Sequence, residues 1–475
     1  MIRPRPKHQA TRGLRDARGS EPAPRGQSLP PWAGGAGHSG HMGDKTTVAA
    51  VLEPLARAAL GPHSSVRFEF WDGSAVEPEG ACAGTIRIRS KDALRHMVWA
   101  PGELGIGRAY VSGLVDLDGD IFAILRSLAS TAPSDAALGV GAAWQAIDAA
   151  RQLGALGRRP KPPPEEVRPL RGPLHTKRRD AAAISHHYDV GNDFYWLVLG
   201  PSMTYSCARF VAPDDDGSGG ANGSVSLEDA QRAKHDLICR KLGLRPGMRL
   251  LDVGCGWGSM AIHAAATYGV RVVGVTISTA QVELARARVA EAGLTEAVEI
   301  RLADYRDLRG EEFDAISSIG MFEHVGTKRA AEYFDTLRAL LRPEGRLLNH
   351  AISSAGGSVM GRNSFVGRYV FPDGELVDVG EVALAMQRAG FEVRDVEALR
   401  EHYALTLRAW VANLESAWDQ AVSLTSAGRA RIWRLYMAAS ALGFEDGGLG
   451  LHQVLGVVPD AQGRTGMPGT RRAWG

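Results

Sequence analysis

Cysteine is scarce in this chain, with four in 475 residues: Cys82, Cys207, Cys239 and Cys255. They are scattered, show no metal-ligand spacing and give no disulfide framework, so the expectation is a reducing, cytoplasmic setting. An excess of either charge is also lacking. Fifty-five basic residues face 53 acidic ones, for a net charge of +2. No global field therefore selects nucleic acid or an acidic partner. No apolar run reaches the ~20 residues that a membrane span requires. The arginines near the amino end have no apolar core behind them, so they do not read as a secretory signal. No internal repeat is evident. An apolar fraction of 44% nonetheless supports full-sized cores.

Residues 1–45 are rich in Arg, Pro, Gly and Ser and are expected to be a disordered tail, with Met42 an alternative start. Residues 46–131 read as a small α+β domain, a scaffold first and a lipid- or partner-binding module second. Residues 132–180 comprise an Ala-rich helix and a basic, proline-rich linker with Arg158, Arg159, Lys161, Arg168, Arg171, Lys177, Arg178 and Arg179. Two readings of the linker stay open. It is either a solvated connector or a patch held on anionic lipid, at roughly 1 kcal/mol per basic residue. Residues 181–459 alternate strand and helix, which predicts a parallel, doubly wound sheet covered on both faces. Residues 460–475 are expected to be a second disordered tail.

The most informative stretch is Leu250-Leu-Asp-Val-Gly-Cys-Gly-Trp-Gly258. A short apolar run ends in Gly254, Gly256 and Gly258, and an amphipathic segment follows. That order is strand, tight turn, helix, with room for a ligand against bare backbone. The spacing departs from the dinucleotide pattern Gly-x-Gly-x-x-Gly. With Asp252 before the first glycine, it resembles the first motif of the S-adenosylmethionine (SAM) methyltransferases. On that reading Asp252 orients the turn or accepts from the methionine amine. Most nucleotide-binding sheets place an acid at the end of the second strand for the ribose. Here the segment is Thr276-Ile-Ser-Thr-Ala-Gln281, so Thr276, Ser278 and Gln281 are neutral candidates. Asp304 is placed to accept from the adenine amine and Tyr305 to pack on the ring.

Several further motifs occur in one order: His187-Tyr-Asp-Val-Gly-Asn-Asp-Phe-Tyr195, Met203-Thr-Tyr-Ser-Cys207, the glycine turn, Ile319-Gly-Met-Phe-Glu-His-Val-Gly326 and His402-Tyr-Ala-Leu-Thr406. Together with Gly102-Glu-Leu-Gly105 and Tyr110 they resemble the cyclopropane-fatty-acyl-phospholipid synthase family, which includes the mycolic acid cyclopropane synthases. The resemblance spans about Ser65 to Val458. It implies a Rossmann-like SAM methyltransferase with a seven-stranded sheet, acting on a cis double bond of a phospholipid acyl chain. It also implies a bicarbonate base held by Cys207, Glu323, His350, Tyr403 and the backbone of Ile352, with Tyr205 and Ser206 touching SAM. Loss of a proton from the transferred carbon would give a cyclopropane. Loss from the chain would give a methylene branch, which a reductase partner could convert to a methyl branch. A small-molecule methyltransferase and a lipid-binding protein with an inactive methyltransferase fold are the other readings. Peripheral contact with the inner face of the membrane and a homodimer are further expectations; a metal is not expected. One departure stands out: Ser440 lies where many members of the family have a cysteine.

Overall fold

The structure is a computed structural model. It describes residues 46–60, 65–131, 140–167, 179, 190–211, 225–359, 364–372 and 374–474. The expected amino-terminal tail, residues 168–178 of the basic linker, residues 184–189 of the tyrosine-rich motif and the Gly-rich segment 214–223 lie outside them.

Two sheets organise the unit Thr46–Gly475. The smaller has four strands: β1 (Val66–Phe70), β2 (Ala75–Val76), β3 (Gly84–Ile88) and β4 (Val115–Gly119), in the order β2-β1-β3-β4. Strands β1 and β3 run parallel and the other pairs antiparallel. Val66, Phe70, Ile86 and Ile88 point inward and meet Val48, Leu52 and Ile124 from helices Val48–Leu60 and Ile121–Thr131. This follows from the alternation of β1 and β3, which leaves one apolar face to be covered by helices.

The larger sheet has seven strands: β5 (Arg249–Val253), β6 (Arg271–Thr276), β7 (Val298–Leu302), β8 (Phe313–Ile319), β9 (Leu341–Ser353), β12 (Glu392–Ala398) and β13 (Gly450–Val457). Strands β10 (Ser358–Val359) and β11 (Glu375–Leu376) form a separate short ribbon. The order is β12-β13-β9-β8-β5-β6-β7. From β9 to β7 the pairs are parallel; β13 is antiparallel to both of its neighbours. The sheet is doubly wound, and its order reverses at β5, which lies between β6 and β8. Ligands of such sheets bind outside the strand ends at that point. Leu251, Ile316 and Leu347 face one core, and Leu250, Ala315 and Leu348 face the other, as strands buried on both sides require.

Some expectations about single elements do not hold. The apolar run Arg346–Ile352 reads as a strand by itself, yet β9 begins at Leu341 and runs through Pro343-Glu-Gly345. Those residues form a bulge, because the pairing steps from Phe313↔Leu341 to Ala315↔Arg346. The stretch His402–Val422 reads as one helix but is two, Arg400–Ser416 and Trp418–Leu424, broken at Ala417. Within the tail expected to be disordered, residues 460–474 are mostly exposed, but Arg471 pairs with the buried carboxylate of Asp395 and Trp474 is buried. A window of low apolar content can still order through one ion pair and one indole. Part of the linker is also packed. Glu166 is buried and receives two hydrogen bonds of 2.7 Å from Arg108, a third guanidinium contact from Arg368 and the Tyr369 hydroxyl. Arg158, Arg159 and Lys161 remain exposed.

Candidate functional site

The carboxyl end of β5 opens into a cleft. Gly254 and Gly256 turn the chain there with φ of 74° and 54°, the left-handed region that glycine enters freely. A Cβ on Gly256 would meet no atom within 4 Å, so bare backbone faces open space. Helix Ser259–Tyr268 starts at the end of the turn, so its free N–H groups favour a polar ligand.

Of the expected cofactor residues, Tyr205, Ser206, Asp252, Gly254, Gly256, Thr276, Gln281, Asp304 and Tyr305 all line this cleft. Gly258 and Ser278 stand outside its lining. Gly258 packs where a Cβ would touch Ala285 at 3.4 Å, and the Ser278 hydroxyl caps helix Thr279–Glu291 by accepting from Gln281 N. Thr276 Oγ1 donates to Gln281 Oε1 at 2.7 Å, so the two neutral groups form one oriented pair at the end of β6. Asp304 takes the Arg306 guanidinium on both oxygens, at 2.9 and 2.7 Å. Tyr305 lies edge-on to Tyr333, with centroids 5.3 Å apart, and is buried. The Asp252 carboxyl is buried at the end of β5. Its Oδ1 accepts from Ser317 Oγ at 2.7 Å, and its Oδ2 has no partner. Burial pushes this carboxyl up to about 6.

A second, smaller chamber adjoins the first. Cys207, Glu323, His350, Ile352 and Tyr403 all line it, so the structure brings together the whole set that the resemblance implied. Four residues line both spaces: Tyr205, Ser206, Gly320 and His324. Glu323 sits in the single turn Phe322–His324 after β8. Its Oε1 accepts from Ile352 N at 2.7 Å, while Oε2 is buried without a partner. Burial pushes this carboxyl up to about 7. His350 comes from β9, opposite Gln453 of β13. Its Nδ1 faces Gln453 Nε2 at 3.2 Å, and its buried Nε2 has no partner. Burial holds the imidazole neutral, well below its ordinary range. With Gln453 donating to Nδ1, the proton sits on Nε2 and points away from that bond. The Cys207 thiol is buried, which raises its pKa and removes it as a thiolate nucleophile. Phe371, Leu376, Tyr436 and Leu451 supply the apolar remainder. The Tyr403 ring lies tilted against Phe444 with centroids 4.7 Å apart, and Tyr205 packs on Trp410 and Trp433 at 5.4 and 5.8 Å.

Sequence reasoning missed Lys234, His235 and His324 in the cleft, and Phe371 and Tyr436 in the chamber. Phe371 and Tyr436 lie in segments that read as ordinary apolar core. Lys234 looks like one of many solvent-facing charges on a helix. Only its position on the buried side of the periodicity in Leu227–Leu242 could have marked it. Ser440, in place of the family cysteine, lines neither space. Among the described residues no group of His, Cys, Asp and Glu could hold a metal ion. No helix among them is long and apolar enough to cross a membrane.

A sheet reversing at a glycine turn, with unpaired polar groups at the strand ends, defines a SAM-dependent methyltransferase. Comparison with known proteins supports this and narrows it. The family described as mycolic acid cyclopropane synthetase matches residues 175–454. The probable fatty acid methyltransferase Rv3720 of Mycobacterium tuberculosis is 42% identical over 439 residues, covering 89% of this chain and 97% of its own length. The cyclopropane-fatty-acyl-phospholipid synthase of Escherichia coli K12 is 34% identical, covering 82% of this chain and 91% of its own. The crystal structure of mycolic acid cyclopropane synthase CmaA1 complexed with SAH and CTAB superposes with a TM-score of 0.53 at 34% identity, over 58% of this chain and 97% of that one. The chain belongs to the mycolic acid cyclopropane synthetase family.

Proposed function

We propose that the protein adds a one-carbon unit from SAM to the cis double bond of a phospholipid acyl chain and closes a cyclopropane ring. The observation that carries this reading is the second chamber. It shares a wall with the cofactor cleft, is lined by aromatic and aliphatic side chains, and holds a buried carboxyl and imidazole whose outward atoms are unpaired. A polar acceptor would need matched donors and acceptors, whereas an alkyl chain needs only apolar walls.

Bound SAM supplies an electrophilic methyl group, and the residues of the cleft fit it: open backbone at Gly256, a free oxygen on Asp252 and an oriented amide on Gln281. An alkene is a weak nucleophile, so the protein's contribution is to hold it in line beside Tyr205 and Ser206. An alkene that gains a methyl becomes a carbocation, and the walls formed by Phe371, Leu376, Leu451 and Tyr403 keep water from quenching it. Bicarbonate supplies a base of the right size, and the polar groups of the chamber suit such an anion. Glu323, when protonated, donates from Oε2; His350 donates from Nε2; Ile352 N fixes the carboxyl through Oε1. One proton leaves for each methyl added, so the acyl chain gains a net CH2.

A branched product is the second reading. It is favoured by relatives named as methyltransferases: Rv3720, and the tuberculostearic acid methyltransferase UfaA1 of M. tuberculosis, 32% identical over 410 residues. Incubation with SAM and an oleoyl phospholipid, followed by mass spectrometry of the released fatty acids, tests both. A gain of one CH2 is expected, with NMR resonances of a cyclopropane; vinylidene resonances would select the branched product, and unchanged oleate would overturn the lipid reading.

A further inference from the structure

The wall between the two spaces has no secondary structure of its own. Residues 202–211 form neither helix nor strand, yet Met203, Thr204 and Ser206 are buried. Buried backbone groups need partners, and a chain outside a sheet must find them on side chains. Ser202 O accepts from Arg288 Nη2 at 3.1 Å and from the Ser259 hydroxyl. Gln231 Nε2 donates to Ser206 O at 2.9 Å and reaches Thr204 O at 3.4 Å, the carbonyls on either side of Tyr205. Between these anchors Met203 holds a φ of 48°, a left-handed conformation that a non-glycine residue keeps when its surroundings impose it. The wall therefore hangs from particular side chains rather than from a ladder of strand bonds.

Arg288 makes the connection that governs alignment. It comes from helix Thr279–Glu291 and lines neither space. Its Nη1 donates to Trp257 O at 2.6 Å and to Ser259 Oγ at 3.0 Å, both beside the glycine turn, while its Nη2 holds Ser202 O at the start of the wall. A planar guanidinium keeps its donors at a fixed separation, so one side chain sets how far the turn stands from the wall. We propose, resting on the methyl transfer argued above, that Arg288 is a positioning residue that keeps the wall in register with the turn. The methyl donor would lie on one side of that wall and the acyl double bond on the other. Gln231, from helix Leu227–Leu242, fixes the same wall at Tyr205. An in-line transfer tolerates little displacement: a shift of about 1 Å costs up to about 100-fold in rate.

The test is steady-state kinetics of the full chain with SAM and oleoyl phospholipid vesicles, with calorimetric titration of SAM alongside. Arg288→Met and Gln231→Met should each lower kcat by about 10- to 100-fold. The lipid KM and the SAM dissociation constant should stay within about threefold of wild type, with SAM stoichiometry unchanged. Arg288→Lys keeps the charge but cannot bridge turn and wall from a single nitrogen, so it should still lose about tenfold in kcat. That variant decides the matter if the methionine variants do not fold. Wild-type kcat in Arg288→Lys, or in either folded methionine variant, would overturn the proposal. So would a weakened SAM affinity that accounts for the lost rate, which marks a binding role, or a SAM stoichiometry that falls with the rate, which marks a structural one. Wild-type protein inactive on the lipid would instead overturn the proposed function, and this inference with it.

Discussion

Replacing Glu323 with glutamine should make the protein more stable at alkaline pH while removing most of its activity. The carboxyl is buried, its Oε1 accepts from Ile352 N, and its titration is moved from 4.5 to about 7. The folded state therefore holds this proton more tightly than the unfolded chain does. Below pH 4.5 both states are protonated and the group costs nothing. As pH rises through the gap the unfolded chain ionises first, and stability falls by about 1.4 kcal/mol per pH unit until about pH 7. The gap is about 2.5 pH units, so the accumulated cost is about 3 kcal/mol. Glutamine has the same shape, keeps an acceptor for Ile352 N and does not titrate. At pH 8 Glu323→Gln should be about 3 kcal/mol more stable than wild type, and at pH 5 less than about 1 kcal/mol more stable. An unfolding entropy near 2.1 cal/mol/K per residue over roughly 430 residues turns 3 kcal/mol into about 3 °C. Thermal midpoints of both proteins at pH 5 and pH 8 measure this, with methyl transfer to oleoyl phospholipid assayed in parallel. The rate should fall by about 10²- to 10³-fold, the range for losing one oriented donor to a bound anion in a buried site. A variant that is less stable at pH 8, a stability difference independent of pH, or undiminished turnover would refute the reasoning.

Three further outcomes follow from the geometry. Gly256→Ala places a methyl where the backbone now faces open cleft, so SAM affinity by calorimetry should drop more than about tenfold, while the thermal midpoint falls only by the ~1–2 kcal/mol of a left-handed alanine. Thiol labelling of the folded protein read by mass spectrometry should modify Cys82 quickly and spare Cys207, Cys239 and Cys255, because only the first is exposed; rapid labelling of Cys207 would contradict its burial. Ser440→Cys should leave the product and, within about twofold, the rate unchanged, since position 440 lines neither chamber; a switch between ring and branch in the fatty-acid spectrum would show that the position acts on the chemistry.

The parallel sheet was legible because strands buried on both faces leave continuous apolar runs, as in Leu250-Leu-Asp-Val253 and Val272-Val-Gly-Val275. The glycine turn was legible because its backbone angles exclude most other residues. The residues around the second chamber come from seven separate segments, and composition or spacing alone could not assemble them; a resemblance across several motifs was needed. Boundaries were less legible. Pro343-Glu-Gly345 reads as a stop, yet β9 passes through it, because a bulge removes the hydrogen bond that proline cannot make. Trp474 and Arg471 ordered a segment of tail composition because their partners, Asp395 among them, lie far away in sequence. Lys234 stayed hidden for a related reason: on a helix of alternating charge, burial of one lysine depends on what the opposite wall contains.

On the proposed function, the charge arrangement of the cleft makes an acid dispensable at the end of β6. There the sugar would meet Thr276 and Gln281, a neutral pair already locked together by a 2.7 Å hydrogen bond, and beyond it Asp304 is matched by Arg306. A nucleoside held there would meet an electrically quiet surface that discriminates by shape and by single hydrogen bonds.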